Sequence, residues 1–299
     1  MAALAKPTQT AAYKCYGGWV KSFKHSSSST RTDMVFSIFL PAQCESAPVP
    51  VLFYLSGLTC TDQNALTKGG FMRDAARHGL CLVFPDTSPR GAGVEGETES
   101  WDFGVGAGFY VKATTPKFKT NYDMYTYVLD ELPALLQSEF PAQLDHARRS
   151  ITGHSMGGHG ALTLALKNPG KFVSVSAFAP ICNPMNCPWG VKAFTGYLGT
   201  DHEQWKQWDG SELAKSYNGP HLSLLVDQGT ADDFLAKKQL LPETLVEAVR
   251  ANKNLSLHLR MQDGYDHSYY FMSTFFADHA QFHADALGAA ASAVKKTKL

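Results

Sequence analysis

The chain has 299 residues, 44% of them hydrophobic, and its 27 basic and 27 acidic residues cancel. That length suits one large packed α/β domain, and a neutral balance supplies no long-range field for nucleic acid or an anionic membrane surface. No run reaches the length of a membrane-spanning helix, residues 1–10 hold no apolar leader, and six scattered cysteines without zinc-finger spacing read as free thiols, so a cytoplasmic protein is expected.

In chain order, Val35 to Leu40 reads as a strand. Val51 to Leu55 is a near-continuous apolar run, as a strand buried on both faces requires, and it ends at Ser56-Gly57. Phe71 to His78 fits a short helix stopped by Gly79, and Cys81 to Phe84 is another buried strand. Apolar residues at helical spacing predict a helix from Tyr122 to Phe140, with Asn121 as N-cap and Pro133 as a kink or break. A short strand near Ser150 to Thr152 precedes a helix from Gly158 to Lys167. Val173 to Phe178, Leu222 to Val226 and Leu255 to Leu259 are further strands. Pro242 to Arg250 and Ser268 to about Leu287 are helical.

Alternation of this kind predicts a mostly parallel central sheet flanked by helices on both faces. Thr87 to Thr120 and Pro180 to Gly219 interrupt the rhythm and read as long loops, of a length that in a compact domain either shapes a site or is mobile. Ser26 to Ser29 reads as a solvated loop between early strands. With no repeats and no linker, residues 1–299 are expected to form one domain with its core at about 17–287.

Gly153-His154-Ser155-Met156-Gly157 is a G-x-S-x-G pentapeptide between a strand and a helix, the context of a nucleophile elbow in an α/β-hydrolase fold. The tight reversal lifts the serine hydroxyl to the carboxyl edge of the sheet, and a side chain at either glycine would collide with its neighbours. Serine needs an adjacent base. His267, just beyond the last core strand, occupies the place of that base. The acid belongs after the preceding strand, where Asp227, Asp232 and Asp233 are candidates; Asp227 sits at the strand end and reads as structural. An oxyanion hole needs two backbone N–H groups. Met156, after the nucleophile, supplies one, and Leu58, in the loop Leu55 to Cys60, supplies the other once Gly57 lets the backbone turn.

Tyr54 to Thr61, Gly106 to Tyr110, Gly153 to Gly160, Pro180 to Pro184, Cys187 to Gly190 and Asp266 to Tyr270 together resemble the S-formylglutathione hydrolase (esterase D) family over residues 17–287. The family's acid lies in a G-x-x-D-x-F-L segment, and the resemblance thereby selects Asp232. It implies hydrolysis of S-formylglutathione to glutathione and formate in formaldehyde detoxification, with no cofactor, no metal and a homodimeric assembly. The same triad would serve a short-chain carboxylesterase or an acyltransferase, and a non-catalytic binding protein on this fold is a third reading.

Cys60, beside the oxyanion loop, is expected near the site without acting as nucleophile. His154 and His159 read as structural hydrogen-bonding residues, because the triad already has its base. Trp101, Phe109 and Trp189 are candidate walls for a narrow acyl pocket, and Lys68, Arg90, Lys112 and Lys192 are candidate partners for the glutathione carboxylates. The tail Thr297 to Leu299 faintly resembles a peroxisomal address but reads as a plain basic end.

Overall fold

A computed structural model describes residues 6–289, so the tail Thr297 to Leu299 lies outside the described residues. Its centre is one nine-stranded sheet in the order β1-β2-β3-β5-β4-β6-β7-β8-β9. The strands are β1 (Thr8–Cys15), β2 (Gly18–Ser26), β3 (Asp33–Leu40), β4 (Val49–Leu55), β5 (Cys81–Pro85), β6 (Leu144–Gly153), β7 (Val175–Phe178), β8 (Leu222–Gly229) and β9 (Leu255–Gln262). From β5 to β9 every neighbouring pair is parallel. β1, β2 and β3 attach antiparallel at one side.

β4 shows why helices must cover both faces. All seven of its residues are buried, and successive side chains point to opposite faces. The Tyr54 ring meets Phe71 at 4.8 Å, beneath the helices Met72–His78 and Tyr269–Leu287, whose Phe71–Phe276 contact stacks at 4.1 Å. Leu55 points the other way, against Gly160 of the helix Met156–Lys167.

Several expectations change. β1 was not anticipated, the early strand implied before Ser26 is β2, and β6 begins at Leu144 instead of near Ser150. The helix expected from Tyr122 starts at Met124, capped by Asp123, whose carboxylate accepts from the Thr126 amide. Asn121 instead donates its side-chain amide to the Thr30 carbonyl at 2.8 Å. A π-helical turn, Tyr127–Glu131, precedes Pro133 and absorbs the irregularity. Pro180 to Gly219 is no open loop but carries the helices Pro188–Leu198, His202–Trp205 and Gly210–Ser216. Ser27 to Ser29 are held by the Glu131 carboxylate, which accepts from the Ser27 hydroxyl and from the Ser28 and Ser29 amides at 2.8–2.9 Å.

Candidate active site

The strand-to-helix turn at Ser155 is as tight as the pentapeptide implies. Ser155 takes φ 56° and ψ −121°, a strained conformation that costs about 1–3 kcal/mol unless its surroundings enforce it. They do. Its amide donates to the Phe178 carbonyl at 2.9 Å, and its carbonyl accepts from the His159 amide at 3.0 Å. A Cβ on Gly157 would stand 2.0 Å from the Leu55 carbonyl oxygen, and one on Gly153 would stand 2.5 Å from the Gly157 oxygen. Glycine is required at both flanks by space.

Behind the serine, the loops after β8 and β9 are laced together. The Thr230 amide donates to Gln262 and the Ala231 amide to Tyr265, at 3.0 and 2.9 Å. This brings Asp232 to His267, whose Nδ1 stands 2.6 Å from Asp232 Oδ2. Asp232 is buried and Asp233 exposed, so the structure separates the two adjacent carboxylates. Asp232 also caps the following turn, accepting from the Phe234 amide at 2.8 Å, and accepts from Gln228 Nε2 at 3.0 Å. Burial works to raise the Asp232 carboxyl, but these bonds, His267 foremost, outweigh it and hold it below the usual carboxylate range.

Asp227 plays a different part. Its carboxylate takes a forked pair of bonds from Arg260, both at 2.6 Å, and lies 3.2 Å from His279 Nε2. This ties β8, β9 and the closing helix together below the site, as the strand-end position implies.

Ser155, His267, Gly57, Leu58 and Thr59 line one cavity of about 250 Å³, with Trp101, His154, Trp189, Phe234 and Tyr269 among its walls. The oxyanion loop is held so that one amide stays free. Gly57 donates to His154 Nε2 at 3.2 Å, Thr59 to the Gly106 carbonyl at 2.8 Å and Cys60 to the Gly57 carbonyl at 3.3 Å. The Leu58 amide between them has no acceptor among the described residues. Met156 is the first residue of its helix, where the N–H has no intrahelical partner. Gly57 is needed for close approach and not for an unusual turn: a Cβ there would lie 2.8 Å from His154 Nε2 and 3.1 Å from Ser155 Cβ.

His154 is a structural hydrogen-bonding residue, as read from the sequence, and the group it holds is the oxyanion loop. It accepts from Gly57 through Nε2, so its Nδ1 carries the proton and faces the Tyr54 hydroxyl at 3.2 Å. Burial, with His267 nearby, pushes its pKa down to about 3 and keeps the ring neutral. His159 is similarly buried and pushed down to about 4, and Nε2 meets the Phe109 carbonyl at 3.0 Å.

The other candidates divide. Cys60 is buried one side chain behind the cavity wall, with Sγ 3.6 Å from the Tyr269 hydroxyl. Burial raises its thiol pKa, so the reactive thiolate is scarce. Trp101 and Trp189 meet edge to face at 5.7 Å on the cavity wall, but Phe109 is fully buried and does not line that cavity. Arg90 is committed to Asp86 and Lys112 to Asp123. Among the described residues no cluster of three or more His, Cys, Asp or Glu could hold a metal ion, and no helix is long and apolar enough to cross a membrane.

Comparison with known proteins decides the family. The family model described as "Putative esterase" matches residues 27–282. The S-formylglutathione hydrolase of Rattus norvegicus is 55% identical over 94% of this chain and 99% of its own length. The chain belongs to the S-formylglutathione hydrolase family. The Arabidopsis thaliana member is 53% identical over 92% of this chain and 95% of its own. The solved structure of the Agrobacterium tumefaciens S-formylglutathione hydrolase superposes with a TM-score of 0.90 at 45% identity, covering 94% of this chain and all of that one. This chain is therefore a serine hydrolase of the α/β-hydrolase fold. Phe234, in the G-x-x-D-x-F-L segment of the family, sets its ring 4.8 Å from His267, a contact that the segment alone did not reveal.

Proposed function

We propose that this hydrolase cleaves S-formylglutathione to glutathione and formate through a formyl-serine intermediate on Ser155, acting as a single cytoplasmic domain that assembles as a homodimer. The observation that carries the reading is the 2.6 Å bond from buried Asp232 to His267, which lines one cavity with Ser155 and with Leu58, whose amide is free among the described residues. Relatives at 53–55% identity carry that activity in their names.

In the chemistry this supports, His267 Nε2 takes the Ser155 proton as Oγ attacks the formyl carbon. Asp232 fixes the Nδ1–H tautomer and stabilises the imidazolium without taking the proton. The Leu58 and Met156 amides hold the developing oxyanion. The glutathione thiol has an ordinary pKa of about 8.5, so it leaves needing little help from an acid. The His267 imidazolium gives its proton to the departing sulfur, and the neutral ring then takes a proton from the water that attacks the formyl-serine and returns it to Ser155 Oγ as formate leaves.

The test is a comparison of kcat/KM for S-formylglutathione, S-acetylglutathione and p-nitrophenyl acetate. The proposal predicts a strong preference for the formyl thioester. Equal or better use of the simple ester would leave a serine esterase and refute the assignment of substrate.

A further inference from the structure

We propose that a second cavity next to the Ser155 cavity binds the γ-glutamyl end of the substrate; the inference rests on the S-formylglutathione reading above. This cavity, of about 640 Å³, is lined by Glu95, Glu99, Lys117 and Lys192 over a floor that includes Phe103 and Phe118. The Trp101–Trp189 pair walls the Ser155 cavity on the side where its chain neighbours Ser100 and Lys192 line the second. Trp101 belongs to the Ser155 cavity and the adjacent Ser100 to the second. Trp189 and Lys192 share the helix Pro188–Leu198, so they stand about 5 Å apart along its axis. From the cysteine sulfur to the γ-glutamyl α-carbon the substrate runs seven bonds, roughly 9 Å when extended, enough to cross that wall with the sulfur held near Ser155.

The charges choose which end enters. The glycine end of glutathione carries only a carboxylate, which Glu95 and Glu99 would repel. The γ-glutamyl end carries an ammonium and a carboxylate side by side, and the cavity offers both signs. Lys192 is committed to Asp102 and to the Ser100 hydroxyl. Lys117 is held only loosely, with Nζ 3.7 Å from Glu95, and both side chains reach solvent. Glu99 meets no cation among the described residues. The α-carboxylate therefore goes to Lys117 and the α-ammonium to Glu99, displacing the loose pair. Trp101, 56% exposed, is the surface the tripeptide crosses.

The experiment compares S-formylglutathione with S-formyl-N-acetylcysteinylglycine, which lacks the γ-glutamyl group, in wild type, Lys117→Glu and Glu99→Lys. Wild type is expected to lose about tenfold in kcat/KM on truncation, as two exposed ion contacts would give. In each variant that ratio should shrink to about threefold or less, through a higher KM for the full substrate. A ratio unchanged in both variants overturns the cavity assignment while the substrate reading stands. A wild type with no preference for S-formylglutathione over p-nitrophenyl acetate overturns both. Both positions are exposed on the surface, so folding does not confound the comparison.

Discussion

Removing the His154 ring is expected to damage the oxyanion hole without touching the triad. In His154→Ala the Gly57 amide loses its acceptor, now 3.2 Å away. An unpaired buried N–H costs about 1–3 kcal/mol of stability. The loop can escape that penalty only by moving, and Leu58 moves with it. Complete loss of an oxyanion donor costs about 3 kcal/mol of transition-state stabilisation, so a displaced donor should lower kcat by about 10- to 100-fold. Because the contact forms only in the transition state, KM should change little. Steady-state kinetics on S-formylglutathione, with thermal denaturation as a check on folding, measure both effects. Because His154 stays neutral down to about pH 3, the wild-type pH–rate profile owes no inflection near neutrality to it. A well-folded variant whose kcat lies within twofold of wild type would refute the idea that His154 positions the loop.

Three further outcomes are expected. Asp232→Asn should lower kcat by several orders of magnitude while Asp233→Asn leaves it nearly intact, since only Asp232 reaches His267; kinetics on the pair decide, and the reverse result would move the acid by one position. Cys60→Ser should keep most activity and resist inactivation by iodoacetamide, because Sγ lies behind Tyr269 and not in the cavity; a folded but inactive variant would put the thiol in the chemistry. Acid should destabilise the fold from about pH 6.5 downward. His154 and His159 are neutral when folded but bind protons when unfolded, so the unfolded state gains as pH falls through the window from 6.5 to their folded values of about 3 and 4. At pH 5 each costs about 2 kcal/mol, and a melting temperature flat between pH 7 and 5 would contradict this.

What could be read in the residues depended on how local the signal was. β4, β5, β7 and β8 are fully or largely buried, and their continuous apolar runs announce them. β1 is exposed along nearly its whole length and carries no alternation, so nothing in Thr8–Cys15 distinguishes it from a loop. The first half of β6 is half-exposed and charged, which hid its start. The elbow was legible because sterics force glycine at 153 and 157. Position after β8 left Asp232 and Asp233 open and the resemblance chose Asp232, which stands 2.6 Å from His267. His154 was legible as a structural hydrogen-bonding residue, but its partner was not, since Gly57 lies 97 residues away and a histidine accepting from a backbone amide leaves no pattern. The helices within Pro180 to Gly219 were missed because Pro, Trp and Asn obscure their periodicity; Pro184 and Pro188 in fact open helical turns there.

The most direct test is to trap the intermediate. Wild type mixed with S-formylglutathione, quenched in acid within milliseconds and digested should yield a formyl adduct on the peptide that holds Ser155, absent from Ser155→Ala. A formyl group found on any other residue, or turnover that survives in Ser155→Ala, would contradict the account at its centre.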